Sequence, residues 1–461
     1  MAMVVPFRGI YYDQGKIGDL SRVVAPPYDV ISPPEQEALY RRHPQNVVRL
    51  ILNKETPQDH PRDNRYTRSA AFYSGWRKEN ILARAPQPQF YFLQEEFSSS
   101  ILPPGQRASA SESSVRRGFI GLIRLEDYSA RVVLPHEKTQ TKPRADRLAL
   151  MESCQANFSQ IFSLYTDAEG AMVPLYERVF SSGPPSMDVT DAEGVRRKVW
   201  LVNDPEVLKR VREIMRSKEI FIADGHHRYE TALAYREAQR KKFPNGTGRE
   251  TYNFAMMYFA AMEDPGVFIL PTHRVVYNLE NFAADSFLDQ VRSDFSVEAF
   301  EIQTGHERDA QDRLLRELAA RSSKERVLGM QLKGLKKYFL LTLKDDRVID
   351  RVEPGIAPSL KALDVNLLHI PILQKRLNIL PQDLAASKKV LYFKDPGDAA
   401  SAVSSGDGQI AFFLNPTQVY QVRDVSLAGQ TMPSKSTFFY PKLLSGLVIN
   451  PLDPHEEIVV E

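Results

Sequence analysis

The pattern of apolar and polar positions predicts short strands that alternate irregularly with helices. Two runs rich in aromatic and β-branched residues, Gln89–Phe97 and Arg117–Leu125, are typical of strands. Residues 98–115 between them are rich in Ser, Pro and Gly and predict a long loop. Residues 251–262 and 266–277 predict two further strands, which Glu-Asp-Pro-Gly would join as a hairpin. Three more strands are predicted at residues 327–332, 337–343 and 409–415.

Helix starts are marked by capping residues and prolines. Ser32 suits the N-cap position, Pro33 the first helical position and Glu35 the third, as in a capping box. Asp204, followed by proline, predicts a helix that runs to about Arg216. The other predicted helices cover Arg62–Ile81, Ala145–Cys154, Glu307–Arg321 and Ser359–Asn378. This irregular mixture indicates an α+β fold with mixed sheets rather than a doubly wound parallel sheet.

Length, composition and charge indicate a soluble globular protein. The 461 residues are enough for roughly two to four domains, and 43% of them are hydrophobic. With 60 basic and 58 acidic residues the net charge is +2, which gives no electrostatic case for binding nucleic acid. The single cysteine, Cys154, excludes an internal disulfide, and no apolar run approaches the roughly 18 residues of a membrane span. We expect a cytoplasmic location and no membrane partner.

The sequence IFIADGHHRYETAL places an acid, a glycine, two histidines and an arginine where a strand gives way to a helix. Asp224 is a residue type that caps helices, and Gly225 tolerates a tight turn and the close approach of a ligand. A helix start attracts anions. His226, His227 and Arg228 would add imidazole and guanidinium donors that suit phosphate. These residues predict a phosphate site.

Simpler interpretations of the same residues remain open. Asp-Gly is a common turn signal, Asp224 could do no more than cap the helix, and one histidine could be packed in the core. A zinc site is a weaker hypothesis, because neighbouring helical residues point about 100° apart. The corresponding functional alternative is a metal-dependent hydrolase that uses His136, His226 and His227.

A second polar cluster follows the predicted strand that ends at Pro135. Its members are His136, Glu137, Lys138 and Thr139, followed by Lys142, Arg144, Asp146 and Arg147. Such a run is most often a solvated charged loop. The functional interpretation is that Glu137 acts as a base at the strand end while the cations bind phosphate. Spacing alone cannot bring Glu137 to Asp224.

Three further segments carry candidates for the same site. APPYDV would hold Tyr28 and Asp29 on a rigid lid over a substrate, although a structural turn is the alternative. LPTHR offers His273 and Arg274 at the end of a strand. The segment MPSKSTFFYPKLLSG is either a phosphate or carboxylate site or a connection with surface lysines. Its polar residues are Lys435, Ser436, Thr437 and Lys442.

Nearly the whole chain resembles the family named domain of unknown function 1015. The resemblance is carried by APPYDVIS (Ala25–Ser32), HEKT (His136–Thr139), ADGHHRYETAL (Ala223–Leu233), LPTHR (Leu270–Arg274) and MPSKSTFFYPKLLSGLV (Met432–Val448). The family implies no established activity. The functional expectation therefore rests on a shorter resemblance.

Residues 131–235 resemble the ParB/sulfiredoxin superfamily, and most closely its free serine kinase branch. The order of elements is a strand with Pro-x-Glu, a basic stretch, a helix, a strand, a helix and then strand–Asp-Gly-His-His-Arg–helix. The resemblance implies that nucleotide phosphates lie over the helix start and that Glu137 removes the proton of a serine hydroxyl. It also implies three regions. These are an N-terminal α/β region (1–128), a ParB/sulfiredoxin-like nucleotide-binding core (129–275) and a C-terminal α/β region closing over the site (276–461).

Together these features predict a nucleotide-dependent phosphotransferase that acts on the hydroxyl of a small molecule, with serine or phosphoserine as the first candidate. Glu137 and Asp224 are the predicted catalytic residues, ATP or ADP the predicted donor, and Mg²⁺ a predicted ligand of Asp224. The predicted phosphate and nucleotide contacts are Gly225, His226, His227, Arg228, His136, Lys138, Thr139 and Arg144. The alternative is a nucleotide-binding switch or partner-binding module of ParB type without turnover. Either function is compatible with a homodimer.

Overall fold

The chain folds into two units, as the computed structural model shows for residues 1–103, 112–303, 305–385 and 388–460. The first unit combines Met1–Ser98, Ser113–Val267 and Pro441–Glu461, and the second combines Ser99–Glu112 and Phe268–Tyr440. The end of the chain therefore folds together with the unit that contains Asp-Gly-His-His-Arg. The three-region division inferred from the sequence stays a prediction.

The strands are numbered along the chain. Those of the first unit are β1 (Val4–Val5), β2 (Ile10–Tyr12), β3 (Leu82–Arg84), β4 (Phe90–Ser98), β5 (Ser113–Arg124), β6 (Val133–Leu134), β7 (Ala156–Asn157), β8 (Ile161–Tyr165), β9 (Met187–Thr190), β10 (Arg196–Val202), β11 (Ile220–Asp224) and β12 (Phe254–Ala261). The second unit contains β13 (Phe268–Ile269), β14 (His273–Val276), β15 (Phe295–Glu301), β16 (Val327–Leu332), β17 (Lys337–Leu343), β18 (Val390–Phe393), β19 (Ile410–Phe413) and β20 (Phe439–Tyr440). Strand β21 (Asn450–Pro451) completes the first unit.

Within its described residues, the first unit contains one mixed sheet of nine strands. Their order is β6-β11-β8-β12-β5-β4-β10-β9, with β1 beside β5. Strands β6 and β11 are parallel, with Val133 opposite Ile220, and β8 runs antiparallel to β11. The carboxyl ends of β6 and β11 and the amino end of β8 therefore meet at one edge of the sheet. This edge positions the candidate site.

Four of the eight helices that the structure describes in the first unit, from Thr141–Cys154 onward, contribute side chains to the main core around this sheet. The eight helices span Gln14–Ile17, Pro33–Arg42, Val48–Ile51, Arg65–Lys78, Thr141–Cys154, Val173–Phe180, Pro205–Arg216 and His226–Lys242. We call the last of these the motif helix. It buries Tyr229, Ala232 and Tyr235 in the main core and packs against the helix Thr141–Cys154. The spacing of three or four residues between these positions is that of one helix face.

The second unit is built on an antiparallel sheet in the order β15-β17-β16-β19-β14-β18. Its helices span Ala284–Arg292, Glu307–Arg321, Arg347–Val352, Pro358–Lys361, Asp364–Leu368, Lys375–Leu377, Pro381–Ala385, Pro396–Ser405 and Val419–Leu427. Leu314 and Leu318 from the second of these helices pack with Val275 and Phe413 in its core. The mixed sheet of one unit and the antiparallel sheet of the other confirm the predicted α+β class.

The predicted hairpin between residues 251–262 and 266–277 is wrong. Strand β12 is buried along nearly its whole length and pairs with β5 and β8, one on each edge. Residues 266–277 divide at Pro271 into β13 and β14, which pair with other strands of the second unit. A buried strand needs a hydrogen-bonding partner on both edges, and that requirement outweighs the local turn signal.

Two other predictions are modified and one is confirmed. The predicted helix at residues 359–378 is broken, with a π-helical segment at His369–Gln374 that contains Pro371, a residue without an amide hydrogen. The predicted loop at residues 98–115 includes a 3₁₀ turn and the start of β5, and its residues 104–111 lie outside the described residues. The amide of Ser32 donates to Glu35, which confirms the predicted capping box.

The helices within the described ranges include none that combines the length and the apolarity needed to cross a membrane.

Candidate functional site

Two polar segments of the sequence meet at the edge of the first unit's sheet. Because β6 and β11 are parallel neighbours, His136 follows one strand and His226 follows the other at the same end. The two imidazole rings pack edge to face with their centroids 4.6 Å apart. The backbone amide of His136 donates to Nε2 of His226 over 3.2 Å. The sheet thus joins two segments that lie 90 residues apart.

Glu137 borders the start of the motif helix. Its Oε2 lies 3.9 Å from Nδ1 of His226, and its side chain is 34% exposed. Because Nε2 of His226 accepts a hydrogen bond, the proton of the neutral ring is on Nδ1, the nitrogen that faces Glu137. The carboxylate is therefore close to the N–H of an imidazole and still accessible to a molecule from solution.

The motif helix begins with Gly225 at the N-cap position, so the prediction that Asp224 caps this helix is wrong. Gly225 has a φ of 97°, and a Cβ there would lie 2.7 Å from Nε of Arg228. Glycine is the residue that adopts this conformation without strain. Gly225 has no side chain with which to cap the helix start, whose amide groups and dipole favour an anion.

The carboxylate of Asp224 is held between two cations. One oxygen accepts from Nζ of Lys442 over 2.7 Å and the other from Nη2 of Arg228 over 2.6 Å. Burial alone would raise the pKa of Asp224, but Lys442 and Arg228 outweigh it and keep the pKa far below its usual value. Asp224 is therefore ionised at neutral pH, and it positions both cations.

This arrangement does not fit the Mg²⁺ site predicted at Asp224. Both carboxylate oxygens are occupied by charged donors, and the ammonium group of Lys442 stands within contact distance of one of them. A metal ligand needs an oxygen that faces the ion. Among the residues that the structure describes, no group of three or more His, Cys, Asp and Glu side chains is placed to hold a metal ion. His136, His226 and His227 do not form such a group.

The segment after Glu137 is joined to the motif helix by hydrogen bonds and an ion pair. Thr139 donates to Glu230, and Arg144 forms an ion pair of 3.3 Å with the same carboxylate. The backbone amide of Gln140 donates to Nε2 of His227 over 2.9 Å. His227, Thr139 and Arg144 therefore lie near Glu137, whereas the side chain of Lys138 is exposed.

The buried histidines of the site are neutral. Burial lowers the pKa of His136 to about 4 although its hydrogen bond to the carbonyl of Ile222 opposes the shift. Burial, followed by the nearby His136, also lowers the pKa of His226 well below its usual value. Neutral rings keep the hydrogen bond between the two histidine positions, which a second proton would break.

We expect His136→Asn to reduce the pH dependence of stability. The unfolded pKa near 6.5 exceeds the folded value of about 4, so protonation favours the unfolded chain as the pH falls through this window. Between about pH 7 and 5 the free energy of unfolding of the wild type should fall by ~2 kcal/mol more than that of the variant. Urea unfolding at both pH values measures the difference. Parallel losses in the two proteins would contradict the neutral state of His136.

A small, partly open cavity of about 50 Å³ lies beside the start of the motif helix in the first unit. The guanidinium of Arg147 lies 3.9 Å from the centre of the Tyr28 ring, and Arg228 also lines the cavity. The rest of the lining is mainly apolar, including Leu150, Met151, Phe158, Ile161 and Met256. Asp29, the neighbour of Tyr28, is exposed and does not line it.

Five sequence candidates belong to the second unit: His273, Arg274, Lys435, Ser436 and Thr437. The LPTHR and MPSKS segments meet there, because Nη2 of Arg274 donates to the carbonyl of Lys435 over 2.9 Å. Lys442, the fourth polar residue of the MPSKSTFFYPKLLSG segment, belongs to the first unit. Its partner Asp224 is 218 residues earlier in the chain, and no local pattern links the two.

Several solved structures show a low similarity to this chain. No curated protein matches it. A conserved hypothetical protein from Pyrococcus furiosus is 11% identical over 72% of this chain and 96% of its own, with a TM-score of 0.31. A mutant free serine kinase in complex with AMP is 11% identical over 69% of this chain and 86% of its own, with a TM-score of 0.32. SbnI from Staphylococcus aureus, truncated at its C-terminus, is 9% identical over 72% and 87%, with a TM-score of 0.34. TM-scores this low support no statement about function.

The family comparison covers most of the chain. The model described as "Protein of unknown function (DUF1015)" matches residues 4–366 of the 461. This range includes Glu137 and the whole of Asp224–Arg228, and it ends before Lys442. The chain belongs to the DUF1015 family.

Proposed function

We propose that the first unit is a nucleotide-dependent phosphotransferase that acts on the hydroxyl of a small molecule, with serine or phosphoserine as the first candidate. The observation that supports this most is the placement of Glu137 beside the start of the motif helix, 3.9 Å from His226. A carboxylate that can take a proton thus stands next to a helix start that attracts phosphate. These are the two parts that phosphoryl transfer requires from a protein.

The phosphate groups of the nucleotide would lie at the start of the motif helix. Gly225 has no side chain with which to cap the first turn, and Asp224 holds the cations Arg228 and Lys442 beside it. The amide groups and dipole of a helix start favour an anionic ligand, and neighbouring cations add to that preference. Asp224 would act by orienting Lys442 and Arg228, since its lowered pKa makes it a poor proton acceptor.

Glu137 would act as the general base. The hydroxyl proton of the acceptor passes to its carboxylate, the acceptor oxygen forms a bond to phosphorus, and the bond from phosphorus to the leaving phosphate oxygen breaks. The N–H at Nδ1 of His226 faces Oε2 of Glu137 and would hold the carboxylate in position. In the reverse direction the same groups return the proton.

The cavity lined by Tyr28, Arg147 and Arg228 would hold the acceptor. It lies in the first unit beside Arg228 of the motif, and a mainly apolar cavity lined by a few polar groups is typical of a small-molecule site. The ring of Tyr28 would then contact the acceptor. This is the role that the sequence predicts for Tyr28 if APPYDV is a lid over the substrate. Asp29 has no part in this proposal.

Nucleotide consumption with and without an acceptor tests the proposal. Purified protein is incubated with ATP or ADP, alone and with L-serine or other small hydroxy acids, and the nucleotides are separated by chromatography. We expect consumption only when an acceptor is present, and at least about tenfold less in Lys442→Met. Lys242→Met, an exposed lysine at the far end of the motif helix, is the matched control and should behave as the wild type.

Binding of nucleotide without consumption under every condition would favour a nucleotide-dependent switch instead. Failure to bind nucleotide at all would overturn the proposal for the motif helix. Isothermal titration with ADP and with ATP separates these two results.

A further inference from the structure

A row of buried charges crosses the sheet of the first unit. Glu95 on β4 lies opposite Arg116 on β5 and opposite Arg197 on β10, so the three side chains share one face of the sheet. Glu95 and Arg116 are fully buried, and Arg197 is 1% exposed. A buried ion pair adds little net stability compared with apolar residues of similar size, so this row requires another explanation.

The charges of this row are balanced. One oxygen of Glu95 accepts from Nε of Arg116 over 2.7 Å, and the other accepts from Nε of Arg197 over 3.0 Å. Nη1 of Arg197 also donates to Asp191 over 2.6 Å, so two carboxylates accompany the two guanidinium groups. A neutral row gives no net attraction for an anion. What it supplies is a set of N–H donors that point in fixed directions.

One further donor of each arginine binds the main chain of residues 441–444. Nη2 of Arg116 donates to the carbonyl of Pro441, and Nη2 of Arg197 donates to the carbonyl of Lys442, each over 2.8 Å. Residues 441–444 have an irregular backbone conformation. The position of such a segment depends on the side chains that bind its carbonyl groups. The two arginines therefore hold two consecutive carbonyl groups in place.

Gln160 connects the same segment to the start of the motif helix. Its Nε2 donates to the carbonyl of Leu444 over 3.1 Å, and its own backbone carbonyl accepts from Nη1 of Arg228. Gln160 is itself buried. Both cations that hold Asp224 are therefore anchored by buried side chains.

We infer that Arg197 and Arg116 are positioning residues of the anion site at the motif helix, because they fix the main chain from which Lys442 reaches Asp224. The connection is short. Arg197 binds the carbonyl of Lys442, and the ammonium group of the same lysine donates to Asp224 over 2.7 Å. A shift of this main chain would move the ammonium group away from the carboxylate and weaken the binding of an anion. The inference rests on the proposed function in one respect, since the anion is taken to be a nucleotide phosphate.

Lysine NMR tests the position of Lys442 in the absence of nucleotide. The full chain is labelled with ¹³C at the lysine Cε, and the Lys442 signal is identified by its loss when Lys442→Met is added to each protein. In Arg197→Lys the new ammonium group can keep a pair with Glu95 but cannot replace a planar fork of donors. We expect the Lys442 signal to move toward those of exposed lysines in Arg197→Lys. It should stay in place in the control Arg196→Lys, because Arg196 is an exposed neighbour that pairs with Asp188.

A double-mutant cycle tests the consequence for the anion site. Calorimetric titration with ADP is carried out for the wild type, Arg197→Lys, Lys442→Met and the double variant. We expect Arg197→Lys to weaken ADP binding about fivefold when Lys442 is present, the equivalent of one hydrogen bond. When Lys442 is replaced by methionine, the same change should weaken binding less than about twofold. Arg196→Lys should bind ADP as the wild type does.

The two measurements separate this inference from the proposed function. A Lys442 signal that does not move in Arg197→Lys would overturn the positioning role, whatever the affinity for ADP. Equal weakening of ADP binding by Arg197→Lys with and without Lys442 would show that the effect does not pass through Lys442, and would also overturn it. If the wild type binds no ADP while the Lys442 signal still moves, the proposed nucleotide site fails and the positioning of Lys442 at Asp224 is supported.

Arg116→Lys keeps the inference testable if Arg197→Lys does not fold. This variant removes the donor to the carbonyl of Pro441 and leaves Arg197 paired with Asp191. We expect the Lys442 signal to move in the same direction as in Arg197→Lys, with a similar loss of ADP affinity. A Lys442 signal that Arg116→Lys leaves in place would overturn the inference.

Discussion

Replacing Glu137 with glutamine should lower turnover about 10²–10⁴-fold and leave nucleotide affinity unchanged. The amide has the size of the carboxylate but cannot accept a proton, so chemistry is lost while the helix start is intact. The side chain is 34% exposed, so the structural cost of the change is small. Steady-state kinetics with a saturating acceptor and calorimetric titration with nucleotide measure the two quantities separately.

The matched control is Glu237→Gln. Glu237 lies on the motif helix, is 54% exposed and pairs with Arg236 and Arg240 away from Glu137. Its variant should retain the turnover of the wild type. Turnover of Glu137→Gln within a factor of about two of the wild type would remove Glu137 from the mechanism.

Replacing Asp224 with asparagine should destabilise the protein by ~3 kcal/mol, because it leaves two largely buried cations without their counter-charge. The side chains of Lys442 and Arg228 are 16% and 12% exposed, so solvent screens them only weakly. Equilibrium unfolding in urea near neutral pH measures the loss. Since the folded pKa of Asp224 is lower than the unfolded one, the wild-type contribution is present above about pH 4 and disappears below it.

A second substitution separates charge imbalance from simple loss of packing. Asp224→Asn combined with Lys442→Met carries one cation fewer, and it should recover at least about 1 kcal/mol of the loss in Asp224→Asn. If the single variant is as stable as the wild type, Asp224 does not hold the two cations together. If the double variant is no more stable than the single one, charge imbalance is not the cause.

Local sequence patterns predicted the positions of strands and helices better than they predicted which strands pair with each other. The capping box at Ser32 and the strands β4, β5, β16 and β17 depend on residues within a few positions, and the structure shows them where the sequence indicates. The hairpin predicted after β12 rested on a local turn signal. That prediction was wrong because β12 is buried and pairs with β5 and β8 instead. Pairing between distant segments has no local signature.

The same distinction applies to the candidate site: its residue types could be predicted locally, but the contacts between its distant segments could not. The residue types at Glu137 and at Asp224–Arg228 are visible in the sequence, and the phosphate hypothesis follows from them. Their proximity depends on the parallel pairing of β6 with β11, and the sequence offered only a family resemblance for it. The role of Lys442 depends on its contact with Asp224, 218 residues earlier in the chain. Because of this contact, Asp224 pairs with two cations instead of serving as the predicted metal ligand.

The candidate site extends beyond the part of the chain that the family model matches. The family model ends at residue 366, yet Lys442 contacts Asp224 inside the matched range. A truncation of this chain before Lys442 removes that cation and should be avoided in any assay of the first unit.

Phosphorus NMR of the purified protein with ATP or ADP and L-serine tests the proposed phosphotransfer most directly. The spectrum identifies the product by its chemical shift and does not depend on a coupling enzyme. We predict a new phosphomonoester signal that grows as the nucleotide signals change, and that is absent with Glu137→Gln. Nucleotide signals that broaden on binding, with no phosphomonoester formed from serine or from a panel of other hydroxy compounds, would contradict the account.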